Sequence, residues 1–144
     1  MSYWDTSALV KLSLLEADSA RFVLLAATGS QIVTADIARF EARAAFRRHE
    51  ARGLLTAGGA TALAHGLDRD MARGKIAVQA VTAEVDCEFT AVLERCFSAV
   101  PPVFIRTNDA LHLASAKVAG ETEFVTADAR QRDAALLLGF TVLP

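Results

Sequence analysis

This 144-residue sequence is poor in cysteine and lysine and has no excess of positive charge, and the first and last of these exclude classes of protein. Its two cysteines, Cys87 and Cys96, sit on a predicted helix at a spacing that puts them about 180° apart, at roughly 100° per residue, so they form neither a bridge within that helix nor a metal pair. A disulfide-stapled miniprotein is therefore excluded. With 53% hydrophobic and 22% charged residues, so is a disordered chain. Lysine occurs 3 times against 12 arginines, but the chain is also rich in alanine and both biases can follow genome base composition. A net charge of −2 argues against a protein that coats nucleic acid by bulk electrostatics, so any such contact must be local. No apolar run reaches the length of a membrane span, and Met-Ser-Tyr-Trp-Asp lacks the basic flank and apolar core of a signal peptide. A cytoplasmic protein without membrane contact is expected. No repeat, low-complexity tract or linker divides the sequence, so residues 1–144 are read as a single domain.

What is present is an alternation of short apolar runs with longer helical patterns, the mark of a parallel sheet covered on both faces. Strands are expected at Ser2 to Trp4, Gln31 to Thr34, Lys75 to Val81, Glu123 to Thr126 and Thr141 to Leu143. Between them the helical period predicts helices from about Thr6, over Ala17 to Ala27, Ala35 to Arg52, Ala60 to Arg73, Thr82 to Phe97, Thr107 to Val118 and Ala129 to Leu138. Thr28-Gly29-Ser30, Gly53, Gly58-Gly59 and Pro101-Pro102 punctuate the pattern. The fold class is α/β, three layers with a central parallel sheet of four or five strands.

Four carboxylates stand out in this frame. Asp5 follows the first strand, at the carboxyl edge where open α/β sheets place their ligand crevices, although Asp-Thr-Ser also reads as a helix cap. Glu41 projects at about 40° from Ile37 on its helix, inside an apolar stripe drawn through Phe40, Ala44 and Ala45. A carboxylate pointed inward must be protonated, paired (with an arginine such as Arg48) or metal-bound, because burying it bare costs several kcal/mol. Asp109 shares a face with His112, Leu113 and Ala116 on a nearly all-apolar helix, or serves as a first-turn aspartate behind a Thr107 cap. Asp128 stands at a strand-to-helix junction, where a cap reading is again open. Should the four meet at about 5 Å, each ionised pair would repel by ~3 kcal/mol in an effective dielectric of 20, and neutral pH would demand cations. Oxygen-only ligation favours Mg²⁺ or Mn²⁺ over zinc, and such ions can promote hydrolysis of a phosphodiester.

Other chemistries lack their signatures. There is no Gly-x-Ser-x-Gly elbow, no Gly-x-x-x-x-Gly-Lys or Gly-x-Gly-x-x-Gly loop, and no second aspartate two residues after Asp5, where an aspartate-nucleophile phosphatase would carry one. His112 has no convergent second His or Cys, so it is assigned to packing or hydrogen bonding rather than to zinc.

Four segments in order carry a family likeness: Tyr3-Trp4-Asp5-Thr6-Ser7-Ala8-Leu9-Val10-Lys11, Ala38-Arg39-Phe40-Glu41, Thr107-Asn108-Asp109-Ala110-Leu111-His112-Leu113-Ala114, and Phe124-Val125-Thr126-Ala127-Asp128. With these, nearly end to end, the sequence resembles the PIN-domain ribonucleases, specifically the VapC-type toxins of toxin–antitoxin modules. The resemblance implies a PIN-like domain, Mg²⁺- or Mn²⁺-dependent endoribonuclease activity on an RNA substrate, a homodimer, and neutralisation by a cognate VapB-type antitoxin. It implies Asp5, Glu41 and Asp109 as the core metal-binding acids and Asp128 as a fourth, with the hydroxyls of Ser7 and Thr126 orienting a carboxylate or a bound water. The alternative is a catalytically silent PIN-like binding or scaffold module.

Arg39, Arg43 and Arg47 form a ridge beside Glu41, able to guide RNA or to meet antitoxin carboxylates, or simply to face solvent. Phe46 projects at about 180° and is expected on an outer, partner-facing side of the same helix.

Overall fold

A computed structural model describes residues 1–29 and 31–144. Among them the chain runs β1 (Ser2–Trp4), α1 (Thr6–Val10), α2 (Ser19–Thr28), β2 (Ile32–Ala35), α3 (Ala38–Ala51), α4 (Gly59–Ala72), β3 (Ile76–Gln79), α5 (Ala83–Phe97), α6 (Thr107–Val118), β4 (Glu123–Val125), α7 (Ala129–Leu137) and β5 (Thr141–Leu143). The expected elements are all present, with bounds moved by a few residues at most. Ser30, in the expected break after α2, lies outside the described residues. Gly59 opens α4 instead of standing in a loop; Gly58, at φ 83°, takes the left-handed turn before it.

The strands are parallel and ordered β3-β2-β1-β4-β5, so the count settles at five. Because β2 and β3 extend the sheet on one side of β1 while β4 and β5 extend it on the other, the direction of winding reverses between β1 and β4. Open α/β sheets bind ligands beyond the carboxyl ends of the strands at such a point.

Side chains alternate across the sheet, and the two central strands show it. Tyr3 and Phe124 pack on one face with Val85 and Val92 of α5, Leu113 and Ala114 of α6, and Ala134 of α7. Trp4 and Val125 pack on the other with Ala8 and Leu9 of α1, Phe22 of α2 and Ala38 of α3. These two cores make the α/β/α layering. Trp4, 1% exposed, meets the Phe22 ring edge-on at 6.3 Å and donates its indole N–H to Ser2 Oγ at 3.0 Å, so its polar end is not left unpaired.

A third cluster joins α3 to α4 through Leu14, Ala42, Phe46 and Ala60. Here the expectation for Phe46 is wrong: it is 1% exposed, and the exposed aromatic of α3 is Phe40 at 58%. The buried arc of α3 holds Ala38, Ala42, Ala45 and Phe46, centred about 120° from Ile37 by the 100° rotation, because α4 covers that side. Glu41 consequently lies at the margin of the buried face. The helix ends at Ala51, and Gly53, at φ 73°, turns the chain so that its amide and that of Leu54 close on Glu50 and His49 carbonyls.

Candidate active site

Asp5 leaves β1 at the winding reversal, and its amide donates to Val125 O at 3.1 Å, extending the β1–β4 ladder to the first residue past both strands. Its extended backbone caps α1, with Oδ1 accepting from the Ala8 amide at 2.9 Å. The side chain is also 1% exposed, which a cap does not require. Ser7 Oγ donates to Oδ1 at 2.7 Å and Thr126 Oγ1 donates to Oδ2 at 2.6 Å. Those hydroxyls are held in turn, because the Ala127 amide donates to Ser7 Oγ at 2.8 Å and the Asp128 amide to Thr126 Oγ1 at 3.0 Å. Burial pushes the Asp5 carboxyl above its ordinary value despite the pull of His112 and these hydrogen bonds. Three donors leave one lone pair of this buried carboxylate free, which a proton or a cation can take up.

Glu41, in the first turn of α3, turns toward α6. Oε2 accepts from Thr6 Oγ1 and from His112 Nε2 at 2.8 Å, and Oε1 accepts from Asn108 Nδ2 at 2.8 Å. Its partner is thus a histidine, and the arginine pair with Arg48 is not formed; Arg48 is exposed. Burial raises the Glu41 carboxyl, but the hydrogen bond and charge of His112 and the bonds from Thr6 and Asn108 outweigh it and bring the pKa down to about 2. Behind it, His112 Nδ1 lies 2.9 Å from the hydroxyl of Tyr3, a side chain with no exposed surface. Burial first, and Asp5 next, raise the Tyr3 phenol well above its ordinary value.

The depressed Glu41 pKa carries a stability consequence. In the unfolded chain the group titrates near 4.5, in the fold at about 2, so the stabilisation is complete above 4.5 and disappears as pH falls toward 2. Its size is about 3 kcal/mol at 1.36 kcal/mol per unit. In cation-free protein, the difference in unfolding free energy between wild type and Glu41→Gln should shrink by that amount over this window. Urea titrations at stepped pH measure it, and a pH-independent difference would contradict the assignment.

Asp109 sits in the first turn of α6, half-buried, with Oδ2 accepting the Arg106 amide at 3.0 Å. The cap residue is therefore Arg106, not Thr107. Asp128 caps α7, its Oδ1 accepting from the Arg130 amide at 2.8 Å and the Gln131 amide at 3.4 Å. Gln131 Nε2 also donates to the Asp109 carbonyl at 3.4 Å, tying the start of α7 to the start of α6. Among the described residues, Oδ1 of Asp109 and Oδ2 of Asp128 accept no hydrogen bond.

The four acids thus line one edge, but they are not gathered into a single knot. Among the described residues, no group of three or more His, Cys, Asp or Glu side chains stands close enough to hold an ion. Amides, hydroxyls and an imidazole orient the acids: Asp5 and Asp128 turn onto helix N-termini, and Glu41 turns onto His112. The donor set still fits Mg²⁺ or Mn²⁺. It is carboxylate oxygen throughout, each acid keeps a lone pair, and Mg²⁺ retains several waters and needs only one or two carboxylates. Thr6 and Asn108 were not singled out from the sequence; the available signal was a polar residue adjoining Asp5 and Asp109 at each helix start.

The arginine ridge meets acceptors of its own chain. Arg39 Nε is 3.1 Å from Asp36, Arg43 donates to Asp68 at 2.7 Å, and Arg47 donates to Glu50 at 2.8 Å and Thr61 at 3.0 Å. Partly exposed pairs of this kind are worth about 0–1 kcal/mol, so another anion can displace them.

No helix among the described residues is long and apolar enough to cross a membrane. None of the curated proteins compared with the chain matches it. Solved structures do: the VapC20 toxin of Mycobacterium tuberculosis, described as sarcin–ricin-loop cleaving, superposes at a TM-score of 0.73 with 18% identity, over 98% of this chain and 97% of that one. A chain of a toxin–antitoxin complex from Klebsiella pneumoniae superposes at 0.65 with 14% identity, over 100% and 97%. At such identities the likeness is one of fold. The family model of the PIN domain matches residues 2–137, and the chain belongs to the PIN-domain family.

Proposed function

We propose that this protein is a cytoplasmic endoribonuclease toxin that hydrolyses RNA phosphodiester bonds with Mg²⁺ or Mn²⁺ and is neutralised by a cognate VapB-type antitoxin. The observation that carries the reading is the Asp5 carboxylate, buried at the reversal point of a PIN-domain sheet and held by Ser7, Thr126 and the Ala8 amide. A structural cap gains nothing from that burial. A carboxylate kept ready for a cation does.

Asp5, Glu41, Asp109 and Asp128 would hold the cation. When bound, it would lower the pKa of a coordinated water and neutralise charge on the phosphate and the leaving oxygen. The protein's own groups account for the rest. Ser7 and Thr126 fix the rotamer of Asp5; Thr6, Asn108 and His112 fix that of Glu41 and keep it ionised at neutral pH. Arg39, Arg43 and Arg47, on the helix that carries Glu41, would exchange their present partners for RNA phosphates or for antitoxin carboxylates. The toxin and toxin–antitoxin structures that share the fold support both the RNA and the antitoxin. We extend the reading to a homodimer, for which Phe97, Val100 and Phe104, exposed around the α5–α6 connection, offer apolar surface.

The competing scaffold reading loses one of its motives with the burial of Phe46. Calorimetric titration with Mn²⁺ decides between the two. We expect saturable binding in or below the millimolar range, weakened by Asp109→Asn; absence of binding there would favour the scaffold.

A further inference from the structure

The hydrogen bonds around Glu41 continue inward, away from the crevice, into a chain that the hydrolytic chemistry does not use. His112 is 2% exposed and lies on α6; Tyr3 is 0% exposed and lies on β1, the central strand. The histidine bridges them, Nδ1 at 2.9 Å from the Tyr3 hydroxyl and Nε2 at 2.8 Å from Glu41 Oε2, with Thr6 Oγ1 also 3.1 Å from Nε2. The rings of Tyr3 and His112 meet edge-on with centroids 5.9 Å apart, so the imidazole is gripped in its plane and across it.

We propose that Tyr3 and His112 act as a positioning relay for Glu41, with His112 held as the Nε2–H form that donates to the carboxylate. The proposal rests on the reading of Glu41 as a cation ligand and adds what fixes it.

The direction of each hydrogen bond follows from what each group can do. A carboxylate oxygen only accepts, so an Nε2 lone pair at 2.8 Å from it would be repelled; the proton must sit on Nε2. Thr6 Oγ1, placed between the two, accepts from Nε2–H and gives its own proton to Oε2, which closes a three-membered cycle of donors and acceptors. With its proton on Nε2, His112 has an Nδ1 lone pair to accept with, and the Tyr3 phenol is the one donor the described contacts bring to it. Every polar atom in the relay is satisfied in this arrangement. Apolar packing by itself would call for neither hydrogen bond, and a buried histidine without partners would cost stability.

The relay matters because Glu41 stands at the margin of the buried face of α3, with a long side chain that could otherwise swing to solvent. Anchoring it to the central strand through α6 removes that freedom before a cation arrives. Hydrogen-bonded supports of this kind, when removed, typically cost about 10- to 100-fold in metal affinity.

Nitrogen-15 NMR of the cation-free protein reads the relay without any substitution: we expect His112 with its proton on Nε2, and a proton on Nδ1 with Nε2 bare would overturn the proposal. Manganese affinity of two variants gives the second readout. His112→Gln keeps a donor near the Nε2 position and should bind Mn²⁺ within a few-fold of wild type; His112→Leu keeps apolar bulk and should lose about 10- to 100-fold. A role in packing alone predicts no greater loss in the leucine variant than in the glutamine variant, and that result would overturn the proposal. Thermal unfolding establishes that both variants are folded; should either not be, Tyr3→Phe, which removes only the hydroxyl, takes its place and is expected to weaken binding several-fold, with unchanged affinity as the contradicting result. Wild-type protein that binds Mn²⁺ but cleaves no RNA would defeat the proposed function while leaving the relay to be judged by the tautomer.

Discussion

Replacing Asp5 by asparagine is expected to lower metal-dependent RNA cleavage by about a thousandfold or more while the protein stays folded. The size follows from removing a ligand charge worth several kcal/mol of transition-state stabilisation, at 1.36 kcal/mol per factor of ten. The fold should survive because asparagine caps helices as well as aspartate does, and its oxygen can keep the bonds from Ser7 and the Ala8 amide. Only the Thr126 hydroxyl, facing an NH₂ in place of Oδ2, must turn, a cost of about 1–3 kcal/mol. Against this stands a gain whose sign can be checked. The Asp5 pKa is raised in the fold, so ionising it is unfavourable there; stability is fully present below its ordinary value near 3.8 and is lost as pH rises through the folded value. Asp5→Asn escapes that loss. In cation-free protein near pH 7 its melting temperature should approach or exceed that of wild type, whereas cleavage should be nearly gone. Cleavage within tenfold of wild type, in a folded variant, would contradict the role given to Asp5.

Phe46→Ala should destabilise the protein by about 3–5 kcal/mol, the usual range for emptying a buried phenylalanine site. Total stability for a domain of this kind is about 5–15 kcal/mol, so much of it would go. Leu14, Ala42 and Ala60 around the ring are small or distant from one another in sequence and have little freedom to close the space. The denaturant midpoint measures the loss. A change below about 1 kcal/mol would restore the surface role that the helical projection suggested.

Helix α3 marks the limit of what local sequence pattern conveys. The strands, the helices and their order were legible because apolar runs of three or four residues alternate with long helical periods, a pattern with few structural solutions. On α3 the pattern misled. Its buried arc is built from Ala38, Ala42, Ala45 and Phe46; of these the expected stripe held only Ala45, the small Ala38 and Ala42 carrying less weight in a projection than Ile37 and Phe40. What decides the burial of that helix is α4, which closes over it through Phe46 and Ala60, a contact between segments that no local period announces. The acids were legible by position: Asp5 and Asp128 after strands, Glu41 and Asp109 in first helical turns. Their supports were legible in part. Ser7 and Thr126 came with the family likeness and turn out to grip Asp5, while the partnership of Glu41 with Thr6, Asn108 and His112 depends on α1, α3 and α6 meeting at one edge. His112 looked unremarkable because it lacks companions of its own kind. Its role comes from Tyr3, 109 residues away in the chain.

Nothing tests the central claim more directly than incubating the purified protein with structured RNA in Mg²⁺ or Mn²⁺, with and without EDTA. The account predicts endonucleolytic cleavage that EDTA abolishes and added cation restores. Cleavage that persists in EDTA, or no cleavage under any of these conditions, would contradict it.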